Sequence, residues 1–428
     1  MAELGESRRV YKTGVAASQA LLPAPPSNWS YSALKEVEAC PRKYALSRAR
    51  YPDLWGGRGY PRLPTTAALM GDVIHDALET IVTALADHGC RSATGPAAIG
   101  VLRGLNGLTA VVERSLARRL ERLMDNPRID AERRRRLTRD LGARVADGRA
   151  QVQEHLSRLT FAANPPAAPS EHGGEYGLPR PPRRRPLPTG AHPEVPLTAE
   201  GVRLHGQVDL IVVTDSHARI VDYKTGVEDA GHIEQVQMYA LMWSLDRTAN
   251  PAGIPATELV VSYPRVDVSL IGPSADELHA QKREIIDRIA AADRAEEDDV
   301  PTAVPSPEGC ALCHVRQLCD TYWQDVAADP TEVPDGAWFD LEAVVGPPNG
   351  VNSRWMLSPG TGRRLLLLRT TPASAALKDG DTVRILGLRA HTDPDTDGDI
   401  TVAYMSASAE VFRRVEPVNG PRAAPAAD

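Results

Sequence analysis

The segment at residues 206–226 reads GQVDLIVVTDSHARIVDYKTG. Its two runs of apolar and β-branched residues flank the polar turn TDSHA, which is the pattern of a β-hairpin. Side chains alternate between the two faces of a strand, so Asp222 and Lys224 point the same way and Tyr223 points the opposite way. The segment therefore predicts a hairpin that presents a carboxylate and an amine together.

The first strand of this hairpin carries a second carboxylate, Asp209. If the turn is centred between Ser216 and His217, Asp209 lies opposite Lys224 and diagonal to Asp222, with backbones roughly 7–8 Å apart. A register shifted by one residue would send Asp209 to the other face of the sheet. The register therefore decides whether the two carboxylates can bind one divalent ion.

Two aspartates and one lysine are a minimal set for hydrolysing a phosphodiester. Oxygen-ligated Mg²⁺ or Mn²⁺ activates a water molecule and neutralises charge at phosphorus. A nearby lysine orients that water and offsets the developing negative charge. The D-x-K pattern by itself is more typical of a surface salt bridge, so the interpretation depends on the motifs around it.

A polar pair follows the hairpin on a helix predicted at 231–246. Gln235 and Tyr239 are four residues apart, so they share one face of that helix. This spacing suits two residues that act together beside the hairpin. For Tyr239 taken alone, helix packing is the alternative.

A histidine precedes the hairpin on an amphipathic helix predicted at 68–87. His75 lies in GDVIHDALE, away from the apolar stripe, with Asp72 and Glu79 three residues before it and four after it. One helical face thus offers a cluster of metal ligands. A single helical histidine is more often structural, and the strand motif is what favours a ligand role.

In order, the chain contains G-x-x-x-H-x-x-L-E, G-x-x-D, D-Y-K and Q-x-x-x-Y. This series resembles the RecB nuclease family within the PD-(D/E)XK superfamily. The residues that carry the resemblance are Gly71, His75 and Glu79, then Gly206 and Asp209, then Asp222 and Lys224, and finally Gln235 and Tyr239.

The resemblance implies an α/β core of the restriction-endonuclease type and a metal-dependent deoxyribonuclease. It implies a Mg²⁺ or Mn²⁺ ion bound by His75, Asp209 and Asp222, assisted by the carbonyl of Tyr223. Lys224 would be the catalytic lysine. The family resemblance also implies that Gln235 and Tyr239 position the site or the nucleic acid.

The cysteines form a separate pattern. Cys310, Cys313 and Cys319 are spaced C-x₂-C-x₅-C, and Cys40, in EACPRKY, lies far upstream; Cys90 is left over as an ordinary free thiol. Disulfides are unfavourable in a reducing cytosol. Four thiolates suit either a tetrahedral Zn²⁺ or an iron–sulfur cluster, and spacing alone leaves both open.

The context of these cysteines favours iron. S-x-L-K-x₄-C-P-R-K-Y, followed after the core by C-x₂-C-x₅-C, resembles the iron–sulfur staple of AddB and of the RecB-like nucleases of CRISPR adaptation. The resemblance implies a [4Fe–4S] cluster on Cys40, Cys310, Cys313 and Cys319, with zinc as the alternative. Such a cluster would close a loop of nearly the whole domain and so restrict the unfolded chain.

After about residue 330 the sequence becomes all-β. Short apolar runs such as RLLLLRT and DTVRILGLRA alternate with Gly, Pro and Asp turns, which suits a small OB-like barrel. Such barrels hold single-stranded nucleic acid on basic grooves and stacking aromatics, although barrel aromatics also fill the core. The candidate contact residues are Trp338, Phe339, Trp355, Tyr404, Arg363, Arg364, Arg384 and Arg389.

Charge is distributed unevenly along the sequence. The 428 residues are 42% apolar and 25% charged, with a formal net charge of −7. Residues 101–160 nevertheless carry 14 Arg and no Lys against 8 acidic residues. The clusters Arg133–Arg136 and Arg183–Arg185 can attract phosphate or can be solvated surface. No apolar run suits a bilayer span or a secretory signal, so we expect a cytoplasmic protein without a membrane partner.

These patterns predict four parts. A flexible lead-in occupies residues 1–27, a nuclease domain 28–330, an OB-like barrel 331–416, and a disordered tail 417–428. Within the nuclease domain, Arg-rich helices at 103–160 and a mobile Pro/Gly/Arg-rich loop at 162–193 form a helical insertion at about 91–192. The first helix of that domain is predicted from Ser30 or Ser32 to about Tyr51.

The expected activity is phosphodiester hydrolysis on single-stranded DNA or DNA ends, in DNA repair or antiviral defence. No GxxxxGK[ST] segment occurs in the sequence, so a helicase or defence-complex partner would be another chain. Two alternatives remain open at this point. One is a non-catalytic nucleic-acid-binding or scaffolding subunit, and the other is a zinc-stabilised interaction protein.

Overall fold

The computed structural model describes most of the chain. It covers residues 12–14, 22–51, 60–161, 185–298, 301–370, 377–391 and 400–414. The chain divides into two compact units. The central unit comprises Pro25–Lys35 and Pro64–Arg294, and the terminal unit comprises Met1–Ala24, Glu36–Leu63 and Ala295–Asp428.

A run of seven helices comes before a region that mixes strands and helices, and the last quarter of the described chain is formed by strands. The helices are α1 (Tyr31–Ala39), α2 (Pro41–Arg48), α3 (Thr66–Asp87), α4 (Pro96–Gly104), α5 (Gly107–Arg122), α6 (Ala131–Gly142), α7 (Val145–Arg158), α8 (Ala230–Leu245), α9 (Ala275–Glu297), α10 (Pro307–Ala311) and α11 (Asp320–Asp325). The strands are β1 (Lys12–Gly14), β2 (Trp29–Ser30), β3 (Gly190–Ala199), β4 (Leu204–Val213), β5 (Ala218–Tyr223), β6 (Ala256–Ser262), β7 (Asp267–Ile271), β8 (Trp338–Pro348), β9 (Ser353–Leu357), β10 (Arg364–Arg369), β11 (Thr382–His391) and β12 (Thr401–Arg414).

The central unit is built on a mixed β-sheet. β3 and β5 are both antiparallel to β4, β6 is parallel to β5, and β7 is antiparallel to β6. A parallel pair needs a crossover connection, and α8 supplies it between β5 and β6. The hairpin predicted from residues 206–226 therefore lies in the middle of this sheet, next to the crossover helix.

Helix α3 forms where apolar periodicity predicts it. The Thr65 side chain caps it by accepting a hydrogen bond from the Ala68 N–H, which satisfies one of the unpaired donors of the first turn. Residues at helical spacing along one face are fully or almost fully buried, namely Leu69, Val73, Ala77, Ile81 and Leu85. Burying one such Leu or Ile contributes about 1.5–3 kcal/mol, so this stripe fixes α3 against the sheet.

Helices α5 and α7 complete the core on the α3 side. Val112 of α5 and Val152 of α7 are fully buried in one cluster with α3 and with Leu210 and Val221 of the sheet. These helices fall within the region where the sequence predicts Arg-rich helices. Residues 162–184 of the predicted mobile loop lie outside the described residues, and the prediction is wrong at its end because β3 already begins at Gly190.

The first predicted helix is wrong as a single element, because the chain breaks it in two. α1 ends at Ala39 and α2 begins at Pro41. Proline is tolerated at a first helical position but has no N–H to continue a preceding helix. Cys40 between them is extended, with φ −167° and ψ 102°, so the break presents this cysteine outside both helices.

The terminal unit contains a closed five-stranded barrel. The strands are hydrogen-bonded in the ring order β8–β9–β10–β12–β11 and back to β8, and β10 runs parallel to β12. Its core is apolar, with Leu341, Val383, Leu388 and Ala403 almost fully buried. Closure removes exposed sheet edges, and the barrel is consistent with the OB-like prediction.

The ends of the chain differ in how far they follow the prediction. The lead-in predicted as flexible contains β1, which pairs in parallel with β12 at Lys12 to Gly14. The predicted tail at 417–428 lies outside the described residues. Within the described parts of the chain, none of the helices combines the length and the apolar character needed to cross a lipid bilayer.

Candidate active site

The turn of the β4–β5 hairpin is centred one residue earlier than predicted, between Asp215 and Ser216. Leu210 pairs with Val221 and Val213 with Ala218, and the Thr214 N–H donates to the His217 carbonyl at 2.8 Å. The turn is therefore Thr214–His217, and the predicted register, which set Asp209 opposite Lys224, is wrong by two residues. Continuing the observed register by one position puts Asp209 across from Asp222 instead.

Asp209 contacts two other groups expected at a metal site. Its Oδ2 accepts a 2.6 Å hydrogen bond from the Tyr223 backbone N–H. Its Oδ1 lies 3.5 Å from Nδ1 of His75 on α3. The structure therefore brings together one residue from each of three predicted elements: β4, β5 and α3.

Asp222 begins a chain of polar contacts that leads to α8. Its Oδ2 lies 2.6 Å from Nζ of Lys224, and its side chain is 2% exposed. Lys224 Nζ also donates to Oε1 of Gln235 at 2.9 Å, and Gln235 Nε2 donates to the Tyr239 hydroxyl at 2.7 Å. Both members of the predicted Q-x-x-x-Y pair thus reach the lysine end of the site, Tyr239 by way of Gln235.

Glu194 on β3 is a site residue that the sequence analysis did not identify. The β3–β4 register, with Pro193 paired to Leu210 and Val195 to Val208, places Glu194 opposite Asp209. One ligand atom each from His75, Glu194 and Asp209 lie within 4.8 Å of one another. Glu194 adopts a left-handed φ of 51°, which is uncommon for residues other than glycine.

Crowding of negative charge marks these carboxyls. Burial raises the pKa of Asp222 to about 7, and the charge of Asp209 adds to this, while Lys224 opposes it. Burial and the charges of Asp209 and Glu79 raise the pKa of Glu194 to about 7. Removing water from several carboxylates together disfavours their ionised forms, and a bound divalent cation would relieve that cost.

Burial acts on the pKa of His75 in the opposite direction. Burial by itself lowers the pKa of His75, but the hydrogen bond and charge of Asp209, together with Asp222, outweigh it and raise the pKa overall. A metal-binding histidine must be neutral. A proton on His75 partly offsets the negative charge of the neighbouring carboxylates. A bound cation would offset that charge in its place.

The predicted ligand cluster on α3 is only partly assembled. Asp72 lies 3.6 Å from Nη1 of Arg119, and the neighbouring Asp76 receives two hydrogen bonds from the same guanidinium, at 2.9 and 2.5 Å. Asp72 is therefore engaged by an arginine of α5 rather than gathered with His75. The charge of Glu79 contributes to the raised pKa of Glu194.

The Tyr223 ring lies close to two imidazole rings. Its ring centre lies 6.2 Å from that of His75 and 5.5 Å from that of His155 on α7. His155 is fully buried, its Nδ1 lies 3.0 Å from the Ser262 hydroxyl, and burial lowers its pKa to about 4. A neutral buried ring therefore fixes the strand whose carbonyl is the predicted metal ligand.

The donor set is suitable for a hard divalent cation. His75, Glu194 and Asp209 converge from α3, β3 and β4, while Asp222 of β5 lies outside that group, and oxygen-rich sets of this kind suit Mg²⁺ and Mn²⁺. The Oδ2 atom of Asp222 is buried and lies 2.6 Å from Nζ of Lys224. A cation bound by this oxygen would share it with the lysine ammonium.

In the terminal unit, four of the five cysteines line one cavity. Cys40 stands at the break between α1 and α2, Cys310 in α10, Cys313 just after it, and Cys319 at the start of α11. Cys90 is instead buried in the core of the central unit. The cavity thus collects the four cysteines predicted to bind a cofactor and leaves out the fifth.

These cysteines form a suitable thiolate donor set. Burial raises the pKa of Cys313 to about 11, and it also raises the pKa of Cys319. Charge on Cys40 or Cys310 raises both values further, as expected for sulfurs that share a cavity. A metal or cluster bound there would have to displace protons, and both Zn²⁺ and iron–sulfur clusters do so.

A buried polar network joins the cysteine segment to the barrel. Asp340 of β8 accepts hydrogen bonds from Arg316 Nε at 2.5 Å, from the Tyr322 hydroxyl at 2.8 Å and from the Gly387 N–H at 2.9 Å. Both Arg316 and Tyr322 also line the cysteine cavity. Asp340 is 7% exposed, so the contacts that anchor the barrel also shape the cavity.

Two comparisons with known proteins give a match. A family model described as the PD-(D/E)XK nuclease superfamily matches residues 28–320, and no curated protein matches the chain. The crystal structure of SSO0001 is similar, with 19% sequence identity and a TM-score of 0.19. That match covers 30% of this chain and 60% of the other, so the chain spans less than two thirds of that protein.

The matched region contains the hairpin, α3 and α8, and with them every predicted residue of the carboxylate–lysine site. It extends over well over half of the sequence and includes Cys40 and the three later cysteines. Nuclease chemistry in this superfamily depends on divalent metal ions, and the core described above provides acidic groups for one. The chain belongs to the PD-(D/E)XK nuclease superfamily.

Proposed function

We propose that this protein is a RecB-like, metal-dependent deoxyribonuclease. The observation that carries the proposal is the group formed by His75, Glu194 and Asp209, whose ligand atoms lie within 4.8 Å of one another, with Asp222 and Lys224 on the neighbouring strand and just after it. A structural salt bridge would need one acid and one base. An excess of carboxylates that are removed at least partly from water is instead what a divalent cation requires.

The side chains divide into two groups by their contacts. His75, Asp209, Asp222 and the newly identified Glu194 would hold Mg²⁺ or Mn²⁺, with the carbonyl of Tyr223 as a further ligand. The bound ion would supply charge neutralisation at phosphorus and a more acidic water. None of these groups is displaced from its strand or helix by taking that role.

Lys224 is the residue placed to act on the reacting atoms. Its ammonium group is held between Asp222 and Gln235, so its direction is set before substrate binds. From there it can orient an attacking water and stabilise the negative charge that develops on the phosphoryl oxygens. Gln235 is a positioning residue, since it touches Lys224 and is itself anchored by Tyr239.

The test is degradation of end-labelled DNA by the purified chain with and without Mn²⁺ or Mg²⁺. Single-stranded and double-stranded substrates, each with one end blocked in turn, separate cleavage at ends from internal cleavage. Metal-dependent cleavage that is lost in Lys224→Ala supports the proposal. Metal-independent binding without cleavage would favour the alternative, a non-catalytic nucleic-acid-binding or scaffolding subunit.

We infer further that Cys40, Cys310, Cys313 and Cys319 bind a [4Fe–4S] cluster. The support is that all four line one cavity while Cys90 lies elsewhere. The cluster would be a structural staple between the α1–α2 break and the segment after α9. Iron and acid-labile sulfide in anaerobically purified protein test this, and stoichiometric zinc without iron would support the zinc alternative.

We propose DNA repair or antiviral defence as the biological setting. The 428-residue sequence contains no GxxxxGK[ST] segment, so the proposed helicase or defence-complex protein would supply the strand. Single-stranded DNA or DNA ends are the proposed substrates. Co-purification of a motor protein with the tagged chain from its native host would test the partner directly.

A further inference from the structure

Four side chains form a row across one rim of the β8–β12 barrel. In adjacent strands Trp338 pairs with Arg389, Arg389 with Tyr404, and Tyr404 with Arg369. These four residues, from β8, β11, β12 and β10, are called the aromatic–arginine row below. Ring and guanidinium alternate along it.

The row faces solvent. Residues next to it in sequence are buried in the barrel core, namely Phe339, Ala390, Ala403 and Leu368. Since strand side chains alternate between faces, the members of the row point outward. Trp338 is 60% exposed and Tyr404 is 38% exposed, which is unusual for large rings that normally contribute to a core.

Positive charge is placed beside each ring. The guanidinium carbon of Arg389 lies 6.0 Å from the centre of the Trp338 ring, and that of Arg369 lies 5.6 Å from the Tyr404 ring. Arg369 Nη1 also donates to the Tyr404 hydroxyl at 3.2 Å, and the His391 ring lies 5.3 Å from Tyr404. Such cation–π contacts hold the rings in position.

We propose that the aromatic–arginine row binds single-stranded nucleic acid. A single strand offers unstacked bases and one phosphate per nucleotide, and exposed rings alternating with cations match both features. Strands are about 4.8 Å apart, so Trp338 and Tyr404 are separated by roughly 10 Å, which leaves room for a base on each. A duplex keeps its bases stacked, so the row selects single strands.

A protein partner is the alternative occupant, since protein interfaces are also enriched in Trp, Tyr and Arg. The alternation of ring and guanidinium across four adjacent strands is what favours a single strand, which presents bases and phosphates in alternation. Two residues that the sequence analysis offered for nucleic acid are also excluded by the structure. Phe339 is buried, and Arg384 is buried and bound to Glu342 at 2.9 Å and to Asp320 at 2.8 Å.

The proposal rests on the proposed function only in taking nucleic acid as the substrate, and binding can be measured without cleavage. The probe is a fluorescein-labelled oligothymidylate of about 30 nucleotides, long enough to span one barrel. Its fluorescence anisotropy is titrated with full-length protein in EDTA. A blunt duplex of equal length serves as competitor.

Removing both rings is the decisive change. The double variant with Trp338→Ala and Tyr404→Ala is expected to bind the oligonucleotide about tenfold or more weakly, because each stacked base is lost. Trp338→Phe and Tyr404→Phe keep a stacking face and should bind within about threefold of the wild type. Circular dichroism melting identifies a variant that has unfolded.

Charge is tested separately. Arg389→Ala should lower the slope of log affinity against log salt by about 0.7, the value for one phosphate contact on a single strand. The matched control is Lys378→Ala, which removes an exposed cation from the segment before β11, at the other end of that strand from Arg389, and should leave the slope unchanged. Equal slopes in the wild type and Arg389→Ala would contradict a phosphate contact.

Three outcomes would overturn the proposal. They are wild-type affinity in the folded double alanine variant, equal competition by the duplex, and no oligonucleotide binding by the wild type, which would leave a protein as the occupant. None of them bears on metal-dependent cleavage of a short strand, which tests the proposed function separately. Loss of cleavage in every preparation with binding intact would contradict the nuclease and leave the row in place.

Discussion

Asp209 accepts a 2.6 Å hydrogen bond from the backbone N–H of Tyr223, just beyond the last regular pair of the β4–β5 ladder. At this position the Asp209 carboxylate accepts the hydrogen bond in place of a backbone carbonyl of the ladder. It fixes the Asp209 side chain against the strand that carries Asp222 and Lys224. The pairing of β4 with β5 therefore ends where Asp209 and Asp222 lie across from each other.

Replacing Glu194 with glutamine should weaken metal binding. Glu194 lies with His75 and Asp209 in one potential ligand group, and loss of a charged ligand or of a group that orients one typically costs about 10–100-fold in affinity. Isothermal titration of metal-free protein with Mn²⁺ measures this. Glu284→Gln, an exposed glutamate of α9, is the matched control, and equal affinity in both variants would contradict the assignment.

The contribution of Asp222 to the stability of the metal-free protein should fall as pH rises from about 4 to about 7. The pKa of Asp222 is about 7 in the fold against about 3.9 in an unfolded chain. A carboxyl whose pKa is raised by folding stabilises the native state while protonated. Its contribution is complete below the unfolded pKa and is lost as pH rises through the folded pKa.

The measurement is the melting temperature at about pH 5.5 and about pH 8, in EDTA, for the wild type and Asp222→Asn. The variant cannot ionise, so its melting temperature should fall less between the two conditions. Mn²⁺ should restore the wild type at the higher pH because it binds the ionised carboxyls. Identical pH profiles for the two proteins would contradict the buried acidic site.

Local patterns were sufficient to predict much of the site. The spacing of apolar residues located α3, and the D-x-K and Q-x-x-x-Y motifs identified residues that contact one another in the structure. The register was wrong by two because the turn closes at Thr214 and His217, through a hydrogen bond that the residue types alone do not specify. A two-residue shift preserves strand alternation, so the predicted set of residues was unaffected.

Glu194 illustrates what could not be predicted. Its place in the site depends on β3 pairing with β4, and that register is set by the loop at residues 200–203 between them, whose conformation the residue types alone do not specify. Its left-handed backbone is also invisible in a sequence that offers no glycine there. The break at Pro41, by contrast, is predictable, because proline cannot continue a preceding helix. This property separates α1 from α2.

Substitution of Cys313 by serine should abolish cofactor binding and destabilise the protein. Cys313 lines the cavity with the three other predicted ligands, and a bound metal or cluster contributes its binding free energy to folding. Iron, sulfide and zinc per chain, together with a thermal melt, measure both effects. Cys90→Ser is the control, because Cys90 is buried away from the cavity and its loss should leave the metal content unchanged.

Asp340→Ala should destabilise the terminal unit by about 3–5 kcal/mol, since Asp340 is almost fully buried and the partly buried guanidinium of Arg316 would lose its carboxylate partner. Asp340 also accepts hydrogen bonds from Tyr322 and Gly387, so three donors lose their acceptor. Urea unfolding followed by tryptophan fluorescence measures the change. Asp379→Asn, at an exposed ion pair with Arg354, should change stability by less than about 1 kcal/mol.

The most direct test of the central claim is Mn²⁺-dependent cleavage of 5′-labelled single-stranded DNA by wild type, Asp222→Asn and Lys224→Ala. Asp215→Asn, in the exposed turn of the same hairpin, controls for the substitution itself. Cleavage by the wild type and the control, with a loss of about 10²–10⁴-fold or more in the two site variants, is the expected result. Wild-type cleavage rates in both folded site variants would contradict the account.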